Sequence, residues 1–169
     1  MKSHQLINQD SKKVEYYTPV EIIEAARRVL GEIDLDPASS IAANKTVRAK
    51  VFYKKEDDGL SKNWNGRVWM NHPFGRNENR KLISKLEIEF TSGRVSEALC
   101  ITFASTSEKW FLPLLERPQA LLTKRTNFLD INGNVIGGAT KGCVVTYFGL
   151  KINKFEEEFN QLAIVKIRI

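Results

Sequence analysis

Short apolar runs alternate with stretches of helical spacing through the first two-thirds of the chain, and this alternation restricts the fold more than any other feature. Ile22, Ile23, Ala26, Val29 and Leu30 share one face of a helix that Gly31 ends. Thr18-Pro19 with Glu21 predicts its start: threonine as N-cap, proline at the first helical position, glutamate closing a capping box. Residues 32–37 read as a short strand broken at Pro37, with Ala38-Ser39-Ser40 as the following turn. Residues 50–53 and 66–70 read as further strands, and 79–90 as a helix that stops at Gly93. The continuous apolar run at 98–104 predicts a buried strand, 107–115 a helix capped by Ser107, and 120–122 another strand. Residues 141–150 and 162–169 are β-rich around a short helix at 155–159. The pattern predicts an α/β fold with an open, mainly parallel sheet and an antiparallel element near the C-terminus. No repeat, low-complexity tract or linker interrupts it. Residues 14–169 are therefore expected to form one domain behind a polar tail at 1–13.

Charge narrows the partner. The 169 residues hold 26 Lys and Arg against 20 Asp and Glu, a net +6. Residues 41–85 alone carry 11 basic and 4 acidic side chains, and the remainder 15 and 16, so the whole surplus lies in one stretch. A localised surplus suits a polyphosphate such as DNA, and also describes a solvated lysine-rich face. No window approaches 18 uninterrupted apolar residues, so no membrane span is expected. The N-terminal MKSHQLINQDSKKVEYY lacks the apolar stretch of a secretory signal. Cys100 and Cys143 both sit in apolar runs, which fits buried thiols in a reducing, cytoplasmic setting. With His4 and His72 the only histidines, a metal site is poorly supplied and none is expected.

Phosphate loops of the GxxxxGK[ST] type, GxGxxG and GxSxG are all absent. Unusual polar residues at strand ends remain. Asn71-His72-Pro73-Phe74 follows the apolar Val68-Trp69-Met70, and the carboxyl ends of strands are where open α/β sheets bind ligands. An Asn side-chain oxygen and the next backbone carbonyl can each accept one N–H bond from a planar amine. Proline stiffens the turn, and the aromatic ring stacks on the heterocycle. An exocyclic amine is a poor nucleophile, and two fixed acceptors aim its lone pair at an electrophile. The same four residues also describe an ordinary Asn turn beside a core Phe. Asp36-Pro37-Ala38-Ser39 ends the first strand, where a carboxylate can receive an ammonium or ribose hydroxyls, or serve only as a strand-ending turn. Asp58, in Asp57-Asp58-Gly59-Leu60, offers a ribose or adenine contact, or belongs to a solvated loop. Lys124-Arg125-Thr126-Asn127-Phe128 suits phosphate or base contact, or one exposed strand turn. Trp64, Trp69 and Trp110 are expected in the core.

In order along the chain these elements resemble the phage-type DNA N-6-adenine methyltransferases, the Dam family of phages and prophages. The resemblance runs through Tyr16-Tyr17-Thr18-Pro19, Ile33-Asp34-Leu35-Asp36-Pro37-Ala38-Ser39-Ser40, Asp57-Asp58-Gly59-Leu60, Trp64 and Gly66–Met70 with Asn71-His72-Pro73-Phe74. It continues through Trp110-Phe111, Arg125-x-Asn127-Phe128-Leu129-Asp130 and Val145-x-Tyr147-Phe148-Gly149, covering about residues 15–160. It implies a Rossmann-like fold using S-adenosylmethionine. Asp36, Pro37, Ala38 and Ser39 would stand where the methionyl part binds, Tyr17, Thr18 and Pro19 where the chain closes over the cofactor, and Asp58 near its ribose or adenine. Asn71 and the His72 carbonyl would hold the amine of an adenine flipped from double-stranded DNA, with Pro73 shaping the turn and Phe74 stacking. Lys124, Arg125, Asn127 and Arg76 would contact DNA.

His72 stands where the family has Pro; only its carbonyl is needed for the chemistry, so the change is expected to be tolerated. Phe74 in place of Tyr keeps stacking and loses a hydroxyl. Cytosine N4, an RNA base or a protein amide are alternative acceptors, and a catalytically silent DNA-binding relic is the competing class. Only short loops, around 75–81 and 124–141, are left to read flanking bases. A short or relaxed recognition site is expected, or one shared with a second subunit.

Overall fold

Strands that are apolar on both faces need cover on both, and the chain supplies it from three helices. The computed structural model describes residues 16–136 and 141–168; the polar tail expected at 1–13 lies outside them. The elements are α1 (Val20–Leu30), β1 (Leu35–Asp36), α2 (Ile41–Val47), β2 (Val51–Phe52), β3 (Gly66–Met70), α3 (Arg76–Thr91), β4 (Val95–Phe103), β5 (Gln119–Leu122), β6 (Cys143–Phe148), α4 (Ile152–Phe159) and β7 (Ala163–Lys166). They build one mixed α/β sheet in the order β2-β1-β3-β4-β6-β5-β7. β2, β1, β3 and β4 run parallel. The pairs β4–β6, β6–β5 and β5–β7 are antiparallel. The antiparallel part thus comprises three strands, because β6 inserts between β4 and β5.

Side chains alternate across the sheet. Trp69, Leu99, Ile101, Val145 and Tyr147 pack under α1 and α4, with Ile23, Leu30, Phe155 and Phe159. Val68, Met70, Ala98, Cys100, Val144 and Phe148 pack under α3, with Leu82, Ile83 and Leu86. Trp64 and Trp69 are fully buried and Trp110 partly so, as expected of core residues. Cys100 and Cys143 are buried free thiols. Among the described residues no helix is long and apolar enough to cross a membrane.

Three local expectations are corrected. The helix expected from Thr18 begins at Val20 after Pro19, with no side-chain cap; the Thr18 hydroxyl is used elsewhere. Residues 107–115 are not a helix. Regular structure there is a 3-10 turn at Leu112–Glu116 with Pro113 in its first turn, because proline lacks the N–H an interior helical position needs and suits a first turn. The loop expected at 75–81 is a helix from Arg76 onward. Conversely α2 has no counterpart in the sequence reading. It is seven residues long, buries only Val47 and is capped by Ser40, whose hydroxyl accepts from the Ala43 N–H at 3.1 Å.

Candidate active site

The sheet order has one change of direction that matters. From β1 the chain passes outward to β2, then returns to the other side of β1 for β3 and β4. The crevice at a switch of this kind, at the carboxyl ends of the strands, is the place an open α/β sheet offers a ligand. Asp36 ends β1 and Asn71 follows β3 on that edge, since Leu35 pairs with Val68 in parallel register.

Asn71 is oriented by the chain before α1. Its Nδ2 donates to the Tyr16 carbonyl at 2.7 Å and to the Thr18 hydroxyl at 2.9 Å. A carbonyl can only accept, so the amide nitrogen must face Tyr16 and the Oδ1 must face away. Both N–H groups are committed, and among the described residues nothing donates to Oδ1. The segment that does this is itself fixed. Tyr17 forms an antiparallel bridge with Leu129, both bonds at 2.9 Å. The Ser40 hydroxyl donates to the Tyr17 hydroxyl at 3.3 Å, so residues 16–18 span from the end of β3 to the turn after β1.

Phe74 lies half-buried in an aromatic cluster. Its ring centroid is 4.4 Å from Phe103, 5.6 Å from Phe128 and 6.0 Å from Tyr16. Phe103 ends β4, so the cluster sits at the same edge as Asn71. Pro73 is exposed between Phe74 and a fully buried His72. Burial pushes the His72 imidazole down to about 4, so it is neutral at physiological pH.

At the β1 end, Asp36 is buried, and its Oδ1 accepts from the Ala38 N–H at 3.3 Å. Burial raises its carboxyl to about 7, against the lowering effect of the Ser39 hydroxyl and the Ala38 N–H. The Ser39 hydroxyl lies near Asp36 without hydrogen-bond geometry and is a buried polar group with no partner. The Ser39 N–H is tied to the Tyr53 carbonyl at 2.8 Å. Asp58 belongs to the same corner. A Cβ on Gly59 would meet the Pro37 carbonyl oxygen at 2.1 Å, so the 57–60 loop closes on Pro37 because residue 59 has no side chain. Trp64 holds the loop there through Nε1 to the Gly59 carbonyl at 2.8 Å. Asp57 is spent on the Lys54 N–H at 2.8 Å, whereas Asp58 is exposed.

Residues 124–128 follow β5 outside helix and strand, with Lys124, Arg125 and Asn127 exposed and Thr126 and Phe128 buried. Phe128 anchors this segment to the aromatic cluster. Arg76 opens α3 directly after the Asn71–Phe74 turn; its side chain is outside the described part. Lys50, Arg67, Arg94 and Arg117, at the amino ends of β2, β3, β4 and β5, are all ion-paired. Lys54, Lys55, Arg80, Lys81, Lys124 and Arg125, in segments leaving the carboxyl ends of β2, β3 and β5, carry no ion pair among the described residues.

Residues 5–162, nearly the whole chain, match the family model of the DNA N-6-adenine-methyltransferases (Dam). The chain belongs to the Dam family. No significant match is found among curated proteins. Membership implies a transferase that methylates adenine N6 in DNA. The structure brings together three stretches far apart in the chain: Tyr16–Thr18, the Asn71–Phe74 turn and Phe128. Asp36 and the Asp58 loop form a neighbouring corner. Sequence reasoning missed Phe103, which reads as the end of a core strand, and Asn79, which reads as a polar position inside a helix. It also misplaced Thr18, whose hydroxyl serves Asn71 rather than the helix.

Proposed function

We propose that this chain transfers a methyl group from S-adenosylmethionine to N6 of an adenine flipped out of double-stranded DNA, within one Rossmann-like domain spanning residues 14–169. The observation that carries the reading is the Asn71 amide, with both N–H groups committed and its oxygen left as a fixed acceptor at the ligand edge of the sheet. Asn71 Oδ1 and the His72 carbonyl accept the two N–H bonds of the adenine amine, and Phe74 stacks on the base, backed by Phe103, Phe128 and Tyr16. Pro73 keeps residue 72 extended, which sets the direction of that carbonyl.

The corner beside it fits the cofactor. Among the described residues Asp36 is a buried carboxyl without a cation and Ser39 a buried hydroxyl without a partner, and the 57–60 loop closes on the Pro37 carbonyl because Gly59 has no side chain. S-adenosylmethionine supplies a methyl group on a sulfonium, a reactive electrophile that requires no metal. Asp36 holds the ammonium, Pro37, Ala38 and Ser39 shape the floor, Tyr17 and Pro19 border it, and exposed Asp58 faces ribose or adenine. The His72 imidazole does not take the proton that leaves the amine. It is buried, and its Nε2 is engaged by Asn79. That proton passes to water.

Lys124, Arg125, Asn127 and Arg76 contact DNA; Lys124 and Arg125 carry no ion pair among the described residues. With α3 starting at Arg76, few loop residues are left for base reading, which favours a short or relaxed site.

The test is incubation of unmethylated DNA with labelled S-adenosylmethionine, followed by nucleoside digestion and mass spectrometry. N6-methyladenine is the expected product. N4-methylcytosine, or cofactor binding with no methylated base, would overturn the acceptor. Absence of both product and cofactor binding would leave a DNA-binding relic. A local check concerns this loop: Gly59→Ala forces it off the Pro37 carbonyl, and calorimetry is expected to show cofactor affinity reduced at least about tenfold with the circular dichroism spectrum unchanged.

A further inference from the structure

The turn that carries Asn71-His72-Pro73-Phe74 lies between Met70, the last residue of β3, and Arg76, the first of α3. Outside the strand and helix ladders, no backbone–backbone hydrogen bond involves His72, Pro73 or Phe74 among the described residues. Gly75 precedes α3 without a side-chain cap. A turn of this length with so few backbone bonds has to be held by side chains if its carbonyls are to point in one direction.

Asn79 supplies that hold. It is 4% exposed, one turn into α3, an apolar environment where an amide must be paired to be tolerated. Its Nδ2 donates to the Phe74 carbonyl at 3.1 Å, and its Oδ1 faces the His72 Nε2 in a short contact. The assignment of both groups follows from the Phe74 end. A backbone carbonyl can only accept, so the amide nitrogen faces Phe74 and the oxygen faces His72. The ring nitrogen opposite that oxygen must then carry a hydrogen. His72 is therefore the Nε2–H tautomer, and its Nδ1 is left buried without a partner. Burial keeps the ring neutral, so this arrangement does not change across physiological pH.

From this geometry we infer that Asn79 is a positioning residue, a clasp that closes on the side chain of His72 and the carbonyl of Phe74 from either side of Pro73 and so fixes the two residues that flank it. The inference rests on the proposed function, in which the His72 carbonyl and the Phe74 ring receive the adenine. The clasp accounts for a histidine at this position. A proline at 72 would restrain the turn through its own ring and would have no use for a hydrogen-bonding neighbour. A histidine lacks that ring: Pro73 limits its ψ, and its side chain is restrained here by the bond to Asn79. Asn79 acts through these neighbours and does not itself touch the base. Its loss is expected to loosen alignment, the term to which methyl transfer between two bound partners is most sensitive.

The experiment compares the parent with Asn79→Ala and Asn79→Asp. The aspartate still accepts from the His72 ring but cannot donate to the Phe74 carbonyl. Three quantities are read: kcat on DNA, the Kd for S-adenosylmethionine, and the ¹⁵N shifts of the His72 ring in the protein without DNA. The expected result for Asn79→Ala is a fall in kcat of about 10- to 100-fold, cofactor Kd within about twofold, and His72 ring shifts that leave the Nε2–H pattern of the parent. Asn79→Asp is expected to fall between the two in kcat and to raise the His72 pKa, because it places a carboxylate beside the ring.

An Asn79→Ala protein that is folded and methylates at the parent rate overturns the inference. So does one whose kcat, cofactor affinity and melting temperature decline together, since that is what a purely structural asparagine would do. A parent that leaves DNA unmethylated, with the His72 shifts still changing in Asn79→Ala, retires the methyl-transfer reading. The positioning role goes with it, and the clasp remains only as part of the fold. Parent activity with an unaffected Asn79→Ala rate retires the positioning role alone.

Discussion

Asn71→Ala is expected to lower kcat for N6-methyladenine formation by about 10³-fold or more, while the Kd values for DNA and for S-adenosylmethionine stay within about threefold. The size follows from what the amide does. Oδ1 takes one of two hydrogen bonds from the amine, and removal of a single preorganised hydrogen-bonding group at a reacting centre commonly costs about 10²–10³-fold in kcat. Alanine also frees the Tyr16 carbonyl and the Thr18 hydroxyl, which now hold Asn71 at 2.7 and 2.9 Å. The residues that bind the two partners are elsewhere, on Asp36 and on the exposed cations, so ground-state binding should persist. A graded series separates this from general damage. Thr18→Val keeps the acceptor and the Tyr16 bond but loses one anchor, and about a tenfold loss in kcat is expected. Asn71→Asp keeps an acceptor oxygen but turns a second one towards the Tyr16 carbonyl, and should fall between Thr18→Val and Asn71→Ala. Single-turnover rates with both partners saturating measure all three. Equal losses across the series, or a loss that appears only in KM, would remove Asn71 from the reacting centre.

The same residues mark where the sequence was legible. The apolar spacing of Ile22, Ile23, Ala26, Val29 and Leu30 was enough to place α1, because the face it defines is the face that is buried. The apolar runs of β3 and β4 were equally plain, since strands covered on both sides cannot hide their composition. α2 left no such trace: of its seven residues only Val47 is buried, and its helical state depends on the Ser40 cap and on its place between β1 and β2. Thr18 shows a different failure. Thr-Pro-x-Glu is a good local start signal, but the hydroxyl bonds to Asn71, 53 positions away, and only the fold reveals that competitor. Asn79 and Phe103 fall in the same class. Each is unremarkable in its own element, and each matters because the sheet order brings it to the edge where β3 ends. Asn71-His72-Pro73-Phe74 and Asp36-Pro37-Ala38-Ser39 were visible for the opposite reason. Each places polar residues and a proline at a strand end, a pattern an ordinary turn also fits, and it was their order along the chain with the other motifs that singled them out.

Asp36→Asn is expected to have two large effects of opposite sign, on cofactor binding and on stability. The Asp36 carboxyl is buried and titrates at about 7, against 3.8 for an unperturbed group. Between about pH 4 and 7 the unfolded chain has released this proton and the folded chain still holds it. The folded state therefore binds more protons, and stability falls as pH rises through that window, levelling off above it. From pH 5 to pH 8 the loss amounts to roughly 2–3 kcal/mol at about 1.4 kcal/mol per unit. Asparagine has nearly the same shape, can still accept from the Ala38 N–H and cannot ionise. The stability advantage of Asp36→Asn over the parent should thus grow by that amount between pH 5 and pH 8, seen as about 5–10 °C in melting temperature. Binding runs the other way. A carboxylate buried without a cation is a standing cost that an ammonium removes, so the parent's affinity for S-adenosylmethionine should rise with pH, approaching tenfold per unit below 7, and level off above. Asparagine offers no charge to the ammonium, and affinity at pH 8 should drop about 10²–10³-fold, with the pH dependence lost. Calorimetric titration across pH 5.5–8.5, beside thermal melts of both proteins without ligand, reads both effects. If Asp36→Asn is more stable but binds the cofactor as the parent does, the buried carboxyl has another purpose. If neither stability nor binding responds to pH in the parent, Asp36 is ionised throughout and already has a cation.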